Sequence, residues 1–249
     1  MDPALTLVTV AYGDAALRSV GALIESVRQT GVVDRMLLCL DRATPSRFMQ
    51  CAQRYPFVEM FVRDFPAWGS RETRMGRKVV EWAYAVSRVA DGTLVLCLDA
   101  DTLIQKSVEA LVQYPGQVIL TMRESPWPVN SGVVFMRVDA STRQWLALWA
   151  DLTMWMVSHG YAGDSTGRWG GVDQATLMMA RAWTQGKEPM IFACVAGAQW
   201  NREVSLDTPL DSTVGVYHFK GQLPALLTPA VTSPVFAWWR ECDLYFREA

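Results

Sequence analysis

The sequence predicts an α/β fold with a mainly parallel central sheet and a C-terminal helix, and three observations predict it. From Leu5 to Leu98, apolar runs of strand length alternate with stretches whose apolar residues recur at helical spacing, the pattern of right-handed β-α-β crossovers. The run Thr93-Leu94-Val95-Leu96-Cys97-Leu98 carries no charge and follows Asp91-Gly92, as expected of a strand buried on both faces of a parallel sheet. The 249 residues, 51% hydrophobic and 19% charged, suffice for one sizeable core.

In order, Leu5 to Ala11 reads as the first strand, and Tyr12-Gly13-Asp14 turns it into a helix with Asp14 as N-cap. Leu17, Val20, Leu23, Ile24 and Val27 form the buried face of that helix, and Gly31 supplies its left-handed stop. Arg35 to Leu40 is the second strand, Thr44-Pro45 opens a capped helix, and Val58 to Val62 is the third strand. Asp64 to Arg71 reads as a loop, and Glu72 to Val89 as a long helix leading into the uncharged strand. Beyond it the pattern predicts a short helix over Val108 to Val112, a strand over Val118 to Met122 and irregular chain over Arg123 to Pro128. A strand from Ser131 to Arg137 follows, then a helix from Thr142 to Ser158 with Trp145, Trp149 and Trp155 suited to core packing. His159 to Gly171 holds five glycines and reads as a mobile lid. A helix over Asp173 to Trp183, a strand over Val214 to His218 and an aromatic helix over Pro234 to Phe246 complete the chain.

Composition excludes some functions. A net charge of −2 gives no basic face for nucleic acid. The five cysteines are scattered, with no Cys-x-x-Cys spacing, and read as reduced core residues of a cytoplasmic protein. No run of 18 apolar residues indicates a membrane span. Glu241, Asp243 and Glu248 oppose binding of the terminal helix to anionic lipid, leaving peripheral membrane contact the weaker reading beside packing on the body.

The uncharged strand ends in Asp99-Ala100-Asp101. Ligands of open α/β sheets sit at the carboxyl ends of strands, and two like charges there are best tolerated when a cation lies between them and a ligand. The plain alternative is a solvated turn with an aspartate capping the next helix. Two chemistries use the pair in this place. In glycosyl transfer from a nucleotide sugar it holds a divalent cation on the diphosphate; in an aspartyl phosphatase Asp99 and Asp101 would be nucleophile and acid. Downstream there is no second acidic pair of Asp-Asp or Gly-Asp-x-x-x-Asp type, which makes the phosphatase the runner-up.

Several spaced motifs then resemble the retaining glycosyltransferases of family 8. They are Thr6-Leu7-Val8-Thr9-Val10-Ala11-Tyr12 with Glu25-Ser26-Val27-Arg28, Leu96-Cys97-Leu98-Asp99-Ala100-Asp101, Asn130-Ser131-Gly132-Val133, Gly171-Val172-Asp173-Gln174, Trp200-Asn201 and His218-Phe219-Lys220-Gly221. The resemblance implies a single Rossmann-like GT-A domain over residues 1–225, with a nucleotide-binding half at 1–101 and an acceptor half at 102–225. Residues 226–249 would form the aromatic helix packed on that body. It further implies a nucleotide diphosphate sugar donor, a glycan acceptor and retention of anomeric configuration.

 The donor so implied is UDP-linked, and the cofactor is Mn²⁺ (or Mg²⁺).

The resemblance assigns Asp99, Asp101 and His218 to the metal, and Ala11, Tyr12, Asp99, Ala100, Lys220 and Gly221 to the donor; Arg74 and Lys78 join the donor site on their charge and position. It places Asp173, Gln174 and Asn130 at the reacting sugar. An imidazole beside carboxylates suits Mn²⁺ better than Mg²⁺. The ring of Tyr12, at a strand end, suits stacking on a base. Of Arg74, Arg77 and Lys78, which begin the helix before the acidic pair, Arg74 and Lys78, four apart on one face, suit a diphosphate. Where the family continues with Lys-Pro-Trp, this chain has Gln222-Leu223-Pro224. Trp127 and Trp169, in Pro- or Gly-rich stretches, suit stacking on an acceptor sugar, and Glu124 is a loop charge. A sugar-nucleotide binding protein without turnover is the reading from another class; it would not need Asp173-Gln174.

Overall fold

The computed structural model describes residues 5–64, 71–123, 128–160, 171–185, 190–220, 228 and 231–248. Its centre is a seven-stranded sheet in the order β3-β2-β1-β4-β7-β6-β8. These strands are β1 (Leu5–Ala11), β2 (Arg35–Asp41), β3 (Val58–Arg63), β4 (Leu94–Leu98), β6 (Val118–Met122), β7 (Val129–Arg137) and β8 (Phe192–Val195). Pairing is parallel except for β7, which runs antiparallel to both β4 and β6. The sheet is thus mainly parallel, as the alternation of strands and helices predicts. A smaller sheet joins β5 (Thr102–Ile104), β10 (Val216–His218) and β9 (Arg202–Glu203).

Alternate residues of β4 feed two cores. Leu94, Leu96 and Leu98 pack beneath α1 (Gly13–Thr30), while Val95 and Cys97 pack beneath α3 (Arg71–Val86) and α4 (Ala140–Ser158). The first core includes Leu17, Val20, Leu23, Ile24 and Val27 of α1. The second is built on Trp82, Trp145 and Trp149. A third joins α7 (Pro234–Glu248) to β10 through Phe236, Trp239, Tyr217 and Phe219. All five cysteines are free, and burial pushes the Cys39 thiol up to about 12. Among the described residues no helix is long and apolar enough to cross a membrane.

Several local expectations need correction. Asp14 lies in the first turn of α1 instead of capping it; Tyr12 takes the N-cap position without a side-chain cap bond. At the other end Gly31 (φ 62°) closes the helix with its N–H on the Val27 carbonyl. Pro45 is itself the N-cap of α2 (Ser46–Ala52), because the Thr44 hydroxyl turns back to Asp41. The helix before β4 ends at Val86, and the segment expected as a short helix is a 3₁₀ turn over Glu109–Gln113. Trp155 is 56% exposed and stacks on His159. Ten residues beyond Trp145 it lies roughly 80° round the helix from it, off the buried face. The strands β5, β8 and β9 and the short α6 (Gly197–Trp200) were not foreseen; with two to four residues each, they carry too little periodicity to be seen.

Candidate active site

The chain leaves β4 at Leu98 and turns through Asp99-Ala100-Asp101 into β5. The Thr102 hydroxyl donates to the Asp99 carbonyl (2.8 Å), tightening that turn. Because β5 pairs antiparallel with β10, His218 falls opposite Thr102, and the Phe219 N–H donates to the Asp101 carbonyl (2.8 Å). This register brings His218 Nε2 to 3.3 Å from Asp101 Oδ1 and 3.5 Å from Asp99 Oδ2. The three groups offer ligand atoms within 4.8 Å of one another.

Hydrogen bonding orients the imidazole. The Asn201 amide donates to Thr121 Oγ1 (2.8 Å), so its oxygen faces His218 Nδ1 at 2.9 Å and accepts from it. That bond puts the proton of a neutral ring on Nδ1 and turns the Nε2 lone pair toward two carboxylates. A lone pair converging with two anions is the donor set of a divalent cation, and the residues present fit one. Burial works against the charge of Asp101, but a protonated His218 beside it, in place of the neutral ring, holds the carboxyl below its usual range.

Gly132 of β7 makes the approach possible. A Cβ there would stand 2.3 Å from His218 Cε1 and 2.7 Å from Asp99 Oδ2. Its carbonyl accepts from the Asp99 N–H (2.9 Å), and its own N–H donates to Asn130 Oδ1 (2.6 Å).

A second set of bonds ties the cluster to α5 (Val172–Thr184). Lys78 Nζ lies 2.7 Å from Asp99 Oδ1 and 2.6 Å from Asp173 Oδ2, above the Trp82 ring. The Ser131 hydroxyl also donates to Asp173 Oδ2 (2.7 Å). Burial disfavours the Asp173 charge, yet Lys78 and Ser131 outweigh it and hold the carboxyl below the usual range. For Lys78, burial is outweighed by Asp173 and Asp99, and its pKa is raised. The Gln174 amide is fully used: Oε1 accepts from the Ser131 N–H (2.8 Å) and Nε2 donates to the Val129 carbonyl (2.5 Å). Asp173 and Gln174 therefore fasten the start of α5 to Asn130-Ser131-Gly132.

Two cavities adjoin the cluster. One of about 340 Å³ is lined by Tyr12, Ala15, Arg74, Lys78, Asp99, Ala100 and Asp101, among others. The other, of about 490 Å³, is lined by Arg123, Asn130, Asn201, Arg202 and Glu203 together with Met122, Gly197 and Ala198. Of the residues expected at the donor, Tyr12, Arg74, Lys78, Asp99 and Ala100 thus share one cleft. Ala11 is buried in the core, and Lys220 is bonded to Glu203. Arg77 turns to Glu81 instead, at 3.2 Å. Gly221, Glu124, Trp127, Trp169 and the lid expected over His159 to Gly171, except His159, Gly160 and Gly171 themselves, lie outside the described residues. Ser131, Asn201 and Thr121 were missed as contributors. The motifs Asn130-Ser131-Gly132 and Trp200-Asn201 were the signals available for the first two.

No known family profile matches the sequence, and no curated protein matches it. Solved structures do match in fold. The glycosyltransferase GlyE of Streptococcus pneumoniae TIGR4 superposes with a TM-score of 0.63 at 12% identity, over 99% of this chain and 63% of GlyE. The galactosyltransferase LgtC, solved in complex with donor and acceptor sugar analogs, gives 0.62 at 13% identity, over 96% of this chain and 95% of LgtC. The bifunctional glycosyltransferase WbbM gives 0.60 at 12% identity, over 98% of this chain and 50% of WbbM. At such identities the shared property is the fold, and this chain has the GT-A fold of these glycosyltransferases.

Proposed function

We propose that this chain is a metal-dependent glycosyltransferase that moves a sugar from a nucleotide diphosphate sugar, UDP-linked, to a glycan acceptor with retention of configuration. The observation that carries the reading is the convergence of Asp99, Asp101 and His218 at the end of β4 beside a cleft, in a fold shared with glycosyltransferases. Asp99, Asp101 and His218 would hold the cation, Mn²⁺ by the presence of imidazole. Bound there, it supplies Lewis-acid stabilisation of the leaving diphosphate.

The chain's own residues do the rest. Tyr12 stacks on the base, and Arg74 and Lys78 meet the diphosphate through charge-assisted bonds. Asp173 acts through its charge, since a carboxyl held below the usual range is a poor base. That supports retention, because an inverting enzyme needs a carboxylate that takes the acceptor's proton. Gln174 positions Asn130 and Ser131 by holding the start of β7. Free cysteines accord with action in the cytoplasm.

The test is a screen of UDP-sugars for Mn²⁺-dependent hydrolysis, followed by NMR of the product's anomeric proton. Donor turnover with a retained anomer is expected. Binding without turnover would leave a sugar-nucleotide binding protein, phosphate release from simple esters would favour the phosphatase, and an inverted product would overturn retention.

A further inference from the structure

We propose that the cavity of about 490 Å³ beside the cluster receives an acceptor that carries an anionic group, a carboxylate or a phosphate; this rests on the glycosyl-transfer reading above. Two of the lining residues, Asn130 and Asn201, hold Gly132 and His218. A ligand in the cavity is therefore one residue away from the proposed metal ligands.

The wall offers charge and little else for recognition. Both polar atoms of the Asn201 side chain are committed, and Asn130 Oδ1 accepts from Gly132. Among the described lining residues there is no aromatic ring on which a neutral sugar would stack. The cations are in excess. Arg123 Nε lies 3.1 Å from Glu203 Oε1, and Lys220 is bonded to that same oxygen. Arg202 reaches Asp211 only at 3.4 Å. On the wall itself two arginines face one carboxylate, and Arg123 engages Glu203 through Nε, leaving the fork of its guanidinium for a second anion. Glu203, 46% exposed, competes with that anion for the positive charge of Arg123.

The experiment uses the full chain with the donor found in the screen and three acceptor probes: methyl glucoside, methyl glucuronide and glucose 6-phosphate. We expect kcat/KM at least tenfold higher for one of the two acidic probes than for the glucoside, and the better of the two identifies the anion. Where no probe accepts the sugar, saturation-transfer NMR with UDP and Mg²⁺ reads the same preference as binding. Arg123→Gln should cut the preference severalfold through KM, and Glu203→Gln should raise it; loss of folding cannot move the two in opposite directions. Equal use of acidic and neutral probes, or both variants shifting the preference the same way, overturns the proposal. Absence of donor turnover with every nucleotide sugar sinks the glycosyl-transfer reading and this one together, whereas donor turnover without acid preference sinks this one alone.

Discussion

On one side of the Asp99, Asp101 and His218 cluster stand β1, β4, α1 and α3, elements of five to eighteen residues. On the other side stand β5, β9, β10 and α6, of two to four residues. The first side is held by burial: Leu96 and Cys97 are fully buried, and the carboxylates follow as the strand ends. The second is buried as well, with Tyr217 and Phe219 in the third core, but the direction of the His218 ring is set by specific bonds, through the β5 and β10 register and the Asn201 amide, and by the room that Gly132 of β7 leaves for it. A long apolar element tolerates change because many contacts share the load. The ring of His218 is oriented by a three-residue register and one amide, so the cluster is most easily broken at the ring.

The largest expected effect comes from the ligands themselves. Asp101→Asn keeps the shape and removes one charge from the cation site. At several kcal/mol for metal stabilisation of the leaving group, Mn²⁺-dependent donor turnover should fall about a thousandfold. Full turnover in this variant, measured by release of UDP, would remove the cation site from the mechanism.

Gly132→Ala, in β7 facing the ring, tests whether the placing of His218 is as intolerant as its geometry implies. A methyl 2.3 Å from His218 Cε1 cannot be accommodated without moving the ring, and a displacement of about 1 Å costs roughly a hundredfold in rate. Turnover within a few-fold of the parent, with the fold intact by circular dichroism, would show that the two sides are equally forgiving.

Asn201→Ala should act more gently, because the ring loses its orienting acceptor but not its place in β10. The apparent Mn²⁺ affinity, read from the metal dependence of turnover, should weaken about 10- to 100-fold. An unchanged metal dependence would mean that packing alone orients His218.

The same contrast governs how much was legible in the sequence. The long elements announced themselves: Leu17 to Val27 repeat at helical spacing, and Leu94 to Leu98 form an uncharged run. Asp99 and Asp101 were legible because charge appears abruptly where the run ends. His218 was legible through resemblance, as part of His218-Phe219-Lys220-Gly221. Its contact with Asp101 depends on a three-residue pairing between β5 and β10, and local pattern does not encode such tertiary closure. The part of Gln174 was hidden for a related reason. An amide reads as polar in the sequence, and only the fold shows that both its atoms are bonded to the backbone of β7.

The smallest effect is expected on the long-element side, away from the cluster. Glu25 of α1 is 1% exposed, and it accepts from Arg28 (2.6 and 2.8 Å), Gln29 (3.1 Å) and the Tyr55 hydroxyl (3.1 Å). Burial disfavours its charge, but these donors outweigh burial and hold the carboxyl below its usual range. Glu25→Gln keeps the volume and removes the charge, so it should cost about 2 kcal/mol at neutral pH, the scale of hydrogen bonds to a charged group. The sign of the pH dependence follows from the lowered pKa. The contribution is complete above the unfolded carboxyl pKa of about 4.3 and is lost as pH falls through the lower folded value. The stability gap between the parent and Glu25→Gln should therefore be full at pH 7 and shrink below about pH 4.3, where a protonated Glu25 resembles the amide. Urea unfolding at the two pH values measures the gap. A gap that persists in acid would mean that shape, and not charge, makes Glu25 useful to α1. Donor turnover should stay close to that of the parent, because α1 is held by many apolar contacts besides this one carboxylate; a large loss of turnover would show that the long-element side is as finely set as the short one.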